Sequence, residues 1–207
     1  MSHRLSSLLL ILGATLGLAG AVAPWIPHRA AGLNVGGFYL FESTKFFPAI
    51  RSGAVSLCRE AFLLPLLTSA VLVALVPIPP VRPPRPACWL CPALAAAIAL
   101  LALPPYPAVL TAHRDPEYRG QLLLATAAFV LALFSPLARR LPTRVLDALA
   151  VALALGGLVP GLVALAHVRP LFAGLYNAPV GVGWGAAVYT LGCTAVLAAS
   201  LPPKKGH

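Results

Sequence analysis

The chain has 207 residues, of which 59% are hydrophobic and only 10% charged, against roughly 45–50% and 25% in an average soluble domain. With a mean hydropathy of +0.88, its apolar surface exceeds what one small globular core can bury. That excludes an ordinary water-soluble globule and makes lipid the natural solvent, so the net charge of +10 must be judged by where it falls along the chain.

A bilayer core needs about 20 mostly apolar residues per helix. Six stretches qualify, near 5–24, 54–77, 89–111, 121–138, 145–166 and 183–201. The expected fold is all-α: a polytopic membrane protein in which 1–207 form a single six-helix transmembrane domain. In span count and size the chain is similar to the six-helix substrate-binding subunits of energy-coupling-factor vitamin transporters, a similarity of length that carries no motif.

The first stretch also fits a signal peptide, with Arg4 as a basic start and Ala21-Val22-Ala23 as a small-x-small cleavage site. Pro24 directly after that site disfavours cleavage, so the stretch is expected to stay as the first span. Residues 25–53 form the longest connection and hold Phe38, Tyr39, Phe41, Phe46 and Phe47, with Glu42, Lys45 and Arg51 interspersed. Such a segment suits a short amphipathic helix in the interface or between helix ends, or an ordinary aromatic belt.

The second span contains Arg59 and Glu60 at its outer end, and its start could slip to Ala61. Ionisable residues inside a span are costly and tend to be paired or functional. Neighbours on a helix point about 100° apart, so Glu60 could meet Arg51 or a loop arginine while Arg59 snorkels outward. The link 77–86 carries six prolines and should be an extended strap, with Arg82 and Arg85 suited to anionic headgroups.

Cys88-Trp89-Leu90-Cys91 opens the third span. This spacing lets both sulfurs reach one point, as a redox dithiol or half a zinc site. Cys58 and Cys193 fall elsewhere and His3 and His207 are tail residues, so no zinc is expected. The loop after this span reads His113-Arg114-Asp115-Pro116-Glu117, three potential ligands that could hold a cation or orient a polar solute, or simply keep a loop in water.

Prolines 65, 104, 105, 107, 136 and 160 fall inside the spans and should kink or break helices. Gly156, Gly157 and Gly161 around Pro160 mark the fifth span for close packing or bending. Asp147, one turn after Arg144, reads as a favourable helix N-terminal acid. Residues 28–38 and 167–184 share a His-x-Arg or His-Arg start and an Asn-containing glycine-rich stretch, a possible internal echo.

Counting alternate sides, Arg4, Arg82, Arg85, Arg139, Arg140, Arg144, Lys204 and Lys205 share one face in short tails and loops. Arg29, Lys45, Arg51, Arg114, Arg119 and Arg169 share the other with Glu42, Glu60, Asp115 and Glu117, and Arg59 lies at the boundary. The positive-inside rule then puts both termini in the cytoplasm and the chain in the cell membrane as a multi-pass protein. The positive excess becomes a topogenic, headgroup-facing charge, and no nucleic-acid partner is expected.

No nucleophile elbow, phosphate-binding glycine loop or series of mid-span carboxylates is present. The leading expectation is therefore a non-enzymatic membrane protein without cofactor or metal, packing in the bilayer against other membrane proteins or itself. Two alternatives stand beside it. One is a small-solute or ion binding or transport subunit with an outer-face site at Arg59, Glu60, His113, Asp115 and Glu117; the other is a membrane thiol oxidoreductase using Cys88 and Cys91.

Overall fold

A computed structural model describes residues 3–28, 30–76 and 87–200. The proline-rich strap with Arg82 and Arg85, the tail with Lys204, Lys205 and His207, and Arg29 lie outside the described residues. The described chain is helical apart from one two-stranded sheet. In order it forms α1 (His3–Val22), β1 (Pro24–Ile26), β2 (Val35–Gly36), α2 (Leu40–Ser43), α3 (Pro48–Arg51), α4 (Leu64–Leu75), α5 (Ala87–Leu101), α6 (Ala108–Thr111), α7 (Pro116–Phe134), α8 (Thr143–Tyr176) and α9 (Trp184–Ala199), with 3-10 turns over Ala31–Leu33, Thr44–Phe46, Arg59–Phe62 and Ser135–Arg140.

Among the described residues, three helices are long and apolar enough to cross a membrane: Leu5–Val22, Pro116–Ala138 and Thr143–Tyr176. Leu64–Leu75, Cys88–Leu101 and Trp184–Ala199 are apolar but shorter. At 1.5 Å per residue, the 12 residues of α4 cover about 18 Å, well under a hydrocarbon core of about 30 Å. The outward faces carry large apolar side chains, among them Leu8, Leu12, Leu101, Leu123, Val159 and Leu191, as a lipid-facing surface requires and a water-facing one does not.

α4 occupies the centre, packed by α1, α5, α7 and α8, while α9 lies against α1 and α8. Every α4 residue from Pro65 to Leu75 is buried except Val73. The closest pairing is α1 with α9, and small residues make it possible: a Cβ on Gly13 would stand 2.7 Å from the Gly192 carbonyl oxygen, and one on Gly192 2.5 Å from the Gly17 nitrogen. Gly13 and Gly17 form a G-x-x-x-G stripe, the spacing that lets helix backbones meet in lipid.

A small polar node sits where α4, α8 and α9 meet. The Tyr189 and Thr68 hydroxyls are 3.3 Å apart, and Thr68 donates to the Leu64 carbonyl at 2.7 Å, so the Tyr189 hydroxyl is the donor to Thr68. Gly157 of α8 leaves room for both, since a Cβ there would strike either oxygen. Gly161 packs on Pro65 and Trp25, whereas a Cβ on Gly156 would meet nothing within 4 Å. The fifth apolar stretch is thus a close-packing helix at Gly157 and Gly161 only.

Several expectations are corrected. Pro65 does not kink a span; it stands at the start of α4, where its missing N–H costs nothing. The third stretch stops at Leu101, because the prolines at 104, 105 and 107 interrupt it before the short α6. The fifth runs on far beyond 166: α8 has 34 residues, about 51 Å, and includes Pro160 and Pro170. His167 and Arg169 are therefore helical rather than loop residues. α8 closes at Asn177 in the left-handed conformation, φ 49°, one of the few side chains that tolerates it. The segments considered as an echo fold differently, the described residues of 28–38 around β2 and 167–184 as the end of α8, a loop and the start of α9.

Instead of a single short amphipathic helix over 25–53, the described residues of 24–62 hold the two four-residue helices α2 and α3. They fold into the β1–β2 hairpin and short turns gathered over one end of the bundle, the loop-rich end, with Trp25, Ile26, Leu40, Phe41 and Phe62 buried. Part of the reason lies in the backbone. A helix end leaves carbonyls that must find donors, and here the Gly37 and Phe38 N–H groups donate to Ala23 and Ala21 at 3.1 and 2.9 Å, while Trp25 Nε1 donates to Gly20 at 2.9 Å. The extension of α8 meets the same cap: Phe172 stacks edge-on against Phe47, and the Tyr176 hydroxyl donates to the Leu33 carbonyl at 2.8 Å.

Candidate functional site

The charges of the loop-rich end gather where α2, the following 3-10 turn, the Arg59–Phe62 turn and the start of α7 converge. α7 begins there because Asp115 caps it, its carboxylate accepting the Glu117 N–H at 2.9 Å, with Pro116 in the first turn. This capping sets Glu117 beside the two cations. Lys45 Nζ lies 2.7 Å from Glu42 and 3.6 Å from Glu117, and Arg59 Nη1 lies 3.7 Å from the same Glu117 oxygen.

Aromatic faces complete the arrangement. Lys45 Nζ sits 4.5 Å from the centre of the Tyr118 ring, and the Arg59 guanidinium 5.0 Å from that of Phe41, within cation–π range. The Arg59 side chain is only 19% exposed, and its Nε and Nη2 are buried with no hydrogen-bond partner among the described residues. Arg59 therefore points inward onto Phe41 rather than snorkelling outward.

Glu60 does not meet Arg51. Its carboxylate packs on Gly120 of α7, where a Cβ would come within 2.6 Å of Oε1, and accepts the Cys58 thiol at 3.5 Å. Partial burial of the sulfur, followed by the negative charge of Glu60, pushes the Cys58 thiol above its ordinary range. His113 stands exposed in the turn between α6 and α7. Of the five residues singled out in the sequence, Arg59 and Glu117 come together, Asp115 supports them through the cap, Glu60 lies to one side and His113 stands apart. Among the described residues no three His, Cys, Asp or Glu side chains converge as a metal site would require.

Beneath Glu60 a cleft of about 500 Å³ opens between the 56–64 segment, α7 and α8. Leu64, Leu124, Pro160, Val163 and Ala164 make it apolar, and Cys58, Glu60 and His167 add polar groups. The His167 ring holds Nδ1 2.8 Å from the Val163 carbonyl, which fixes Nδ1 as the protonated nitrogen and leaves Nε2 as an acceptor in the neutral ring.

Sequence reading missed Glu42, Lys45, Phe41 and Tyr118 as parts of one network and missed His167 as a cleft residue. The i,i+3 spacing of Glu42 and Lys45 was a usable signal. His167 follows Val163 by one helical turn, a spacing that went unread because the fifth span was expected to end at 166. Cys88 and Cys91 lie in the first turns of α5, half-buried, at the end of α4 away from Cys58; all four cysteines are thiols. Comparison with known proteins gives no relative: no family model matches the chain, and neither a curated protein sequence nor a solved structure matches it.

Proposed function

We propose that the chain is a non-enzymatic multi-pass membrane protein whose role is to pack beside other membrane proteins or further copies of itself, with both termini in the cytoplasm. The observation that carries this reading is the mismatch between its helices. Among the described residues α4, α5 and α9 have 12, 15 and 16 residues, fewer than the roughly 20 that a crossing helix needs. α4 is shielded by its neighbours, but α5 presents Trp89, Leu90, Leu94 and Leu101 outward. A short helix at an edge leaves its ends within hydrocarbon unless a neighbouring protein covers them.

The charged groups support the same reading. Arg59, Lys45, Glu42 and Glu117 pair with one another, which fastens the cap to the bundle. The six-crossing arrangement follows if 59–76 acts as one inserted segment and if the proline-rich link returns the chain on the side from which α4 emerges. Arginines 82, 85, 140 and 144 would then face anionic headgroups of the cytoplasmic leaflet.

Native mass measurement after extraction in a mild detergent tests this. Stoichiometric complexes or oligomers are expected, weakened when Leu94 and Leu101 are both changed to polar residues. A monodisperse lone monomer that retains its fold and thermal stability would overturn it.

A further inference from the structure

We propose that the cleft between α4, α7 and α8 is a binding site for an amphipathic organic cation, a compact apolar body bearing a protonated amine. Its volume of about 500 Å³ is within the usual range for small-molecule pockets, and its composition is of the usual kind, an apolar lining with a few polar groups to orient the ligand.

The sign of the ligand charge follows from the distribution of ion pairs. Lys45 and Arg59 are engaged with Glu42 and Glu117. Glu60, which lines the cleft, has no cation within ion-pair distance among the described residues and accepts only the weak Cys58 S–H donor. A carboxylate on an otherwise apolar wall, with no counter-charge among the described residues, is a complement for a ligand cation.

His167 adds a second acceptor, since Nδ1 is held by the Val163 carbonyl and Nε2 remains. One carboxylate and one imidazole acceptor on the wall of an otherwise apolar cleft match an ammonium with several N–H donors. They repel a carboxylate and match a hydroxyl only in part. Gly120 is required for this geometry, because any side chain there would displace Glu60. The site thus uses one of the acids expected on the outer face, without the rest of the set.

The test uses 1-adamantylamine, with 1-adamantanol and adamantane-1-carboxylate as matched probes, on the purified full chain in detergent. The amine should raise Tm by several degrees, the alcohol by less than half as much, and the carboxylate not at all. Glu60→Gln should reduce the amine shift to that of the alcohol, and Ala164→Phe, which fills the cleft, should remove both. The wild-type protein supplies a second readout should either variant fail to fold: bound amine should slow maleimide labelling of Cys58, at the cleft, several-fold and leave Cys88 unchanged. Equal shifts from amine and carboxylate, an amine shift undiminished in folded Glu60→Gln, or unprotected Cys58 would overturn the proposal. Nanodiscs separate two sources of the ammonium: an amine response lost in phosphatidylethanolamine but kept in phosphatidylcholine assigns the native ligand to a lipid headgroup, and one kept in both assigns it to a free amine.

Discussion

Arg59 shows how a single charge is held in this molecule. Its side chain is 19% exposed, it leans on the Phe41 ring, and its nearest anion is Glu117 at 3.7 Å, itself 45% exposed. A pair on the surface contributes about 0–1 kcal/mol, whereas removing one partner of a buried pair costs about 3–5 kcal/mol. This pair lies between those limits. Glu117→Gln should therefore cost about 1–2 kcal/mol, because it strips the counter-charge from Arg59 and weakens the hold on Lys45. Arg59→Met should cost less, since it removes the buried, unpartnered Nε and Nη2 together with the charge while keeping the contact with Phe41. Thermal unfolding of the two variants in one detergent checks the order, and a larger loss for Arg59→Met would contradict it.

At the scale of the elements, glycines decide which helices touch. Gly156 and Gly157 are neighbours on α8, yet only Gly157 faces the Thr68–Tyr189 pair. Gly157→Ala should destabilise by about 1–3 kcal/mol through overpacking, and Gly156→Ala should be neutral or stabilising by up to about 1 kcal/mol from helix propensity; matched melting curves distinguish them. Composition and apolar run length made the helices legible, and the Gly-Gly-x-x-Pro-Gly stretch from 156 to 161 announced close packing. Which glycine packs was not legible, since that depends on the angular position of Tyr189 in a distant helix. Nor was the end of α8. The expected span ends at 166, yet the helix runs on to Tyr176, where Phe172 and Tyr176 meet Phe47 and Leu33 of the cap. The charged residues of the loop-rich end were legible as a set, and their pairing was not, because the β1–β2 hairpin that precedes α2 and the Lys45 turn has no strong strand pattern.

For the whole molecule, the two ends differ in chemistry, and the cysteines can report which faces outward. Cys58 lies at the loop-rich end and Cys88 and Cys91 at the other. If both termini are cytoplasmic, as proposed, a membrane-impermeant maleimide on intact cells should label Cys58, and Cys88 and Cys91 only after permeabilisation. Because burial and Glu60 raise the Cys58 thiol, its thiolate fraction is low at neutral pH and grows as pH rises. Labelling should therefore be carried out above pH 8, and it should speed up in Glu60→Gln. Labelling of Cys88 without permeabilisation would reverse the orientation. The pairing of α1 with α9 has a further meaning for how such a chain is made. α1 is translated long before α9, and at Gly13 and Gly20 it presents bare backbone that α9 covers. Until then the growing chain holds an open seam that lipid fills poorly, an interval during which an insertion chaperone or the small-residue face of another nascent helix can occupy the place of α9.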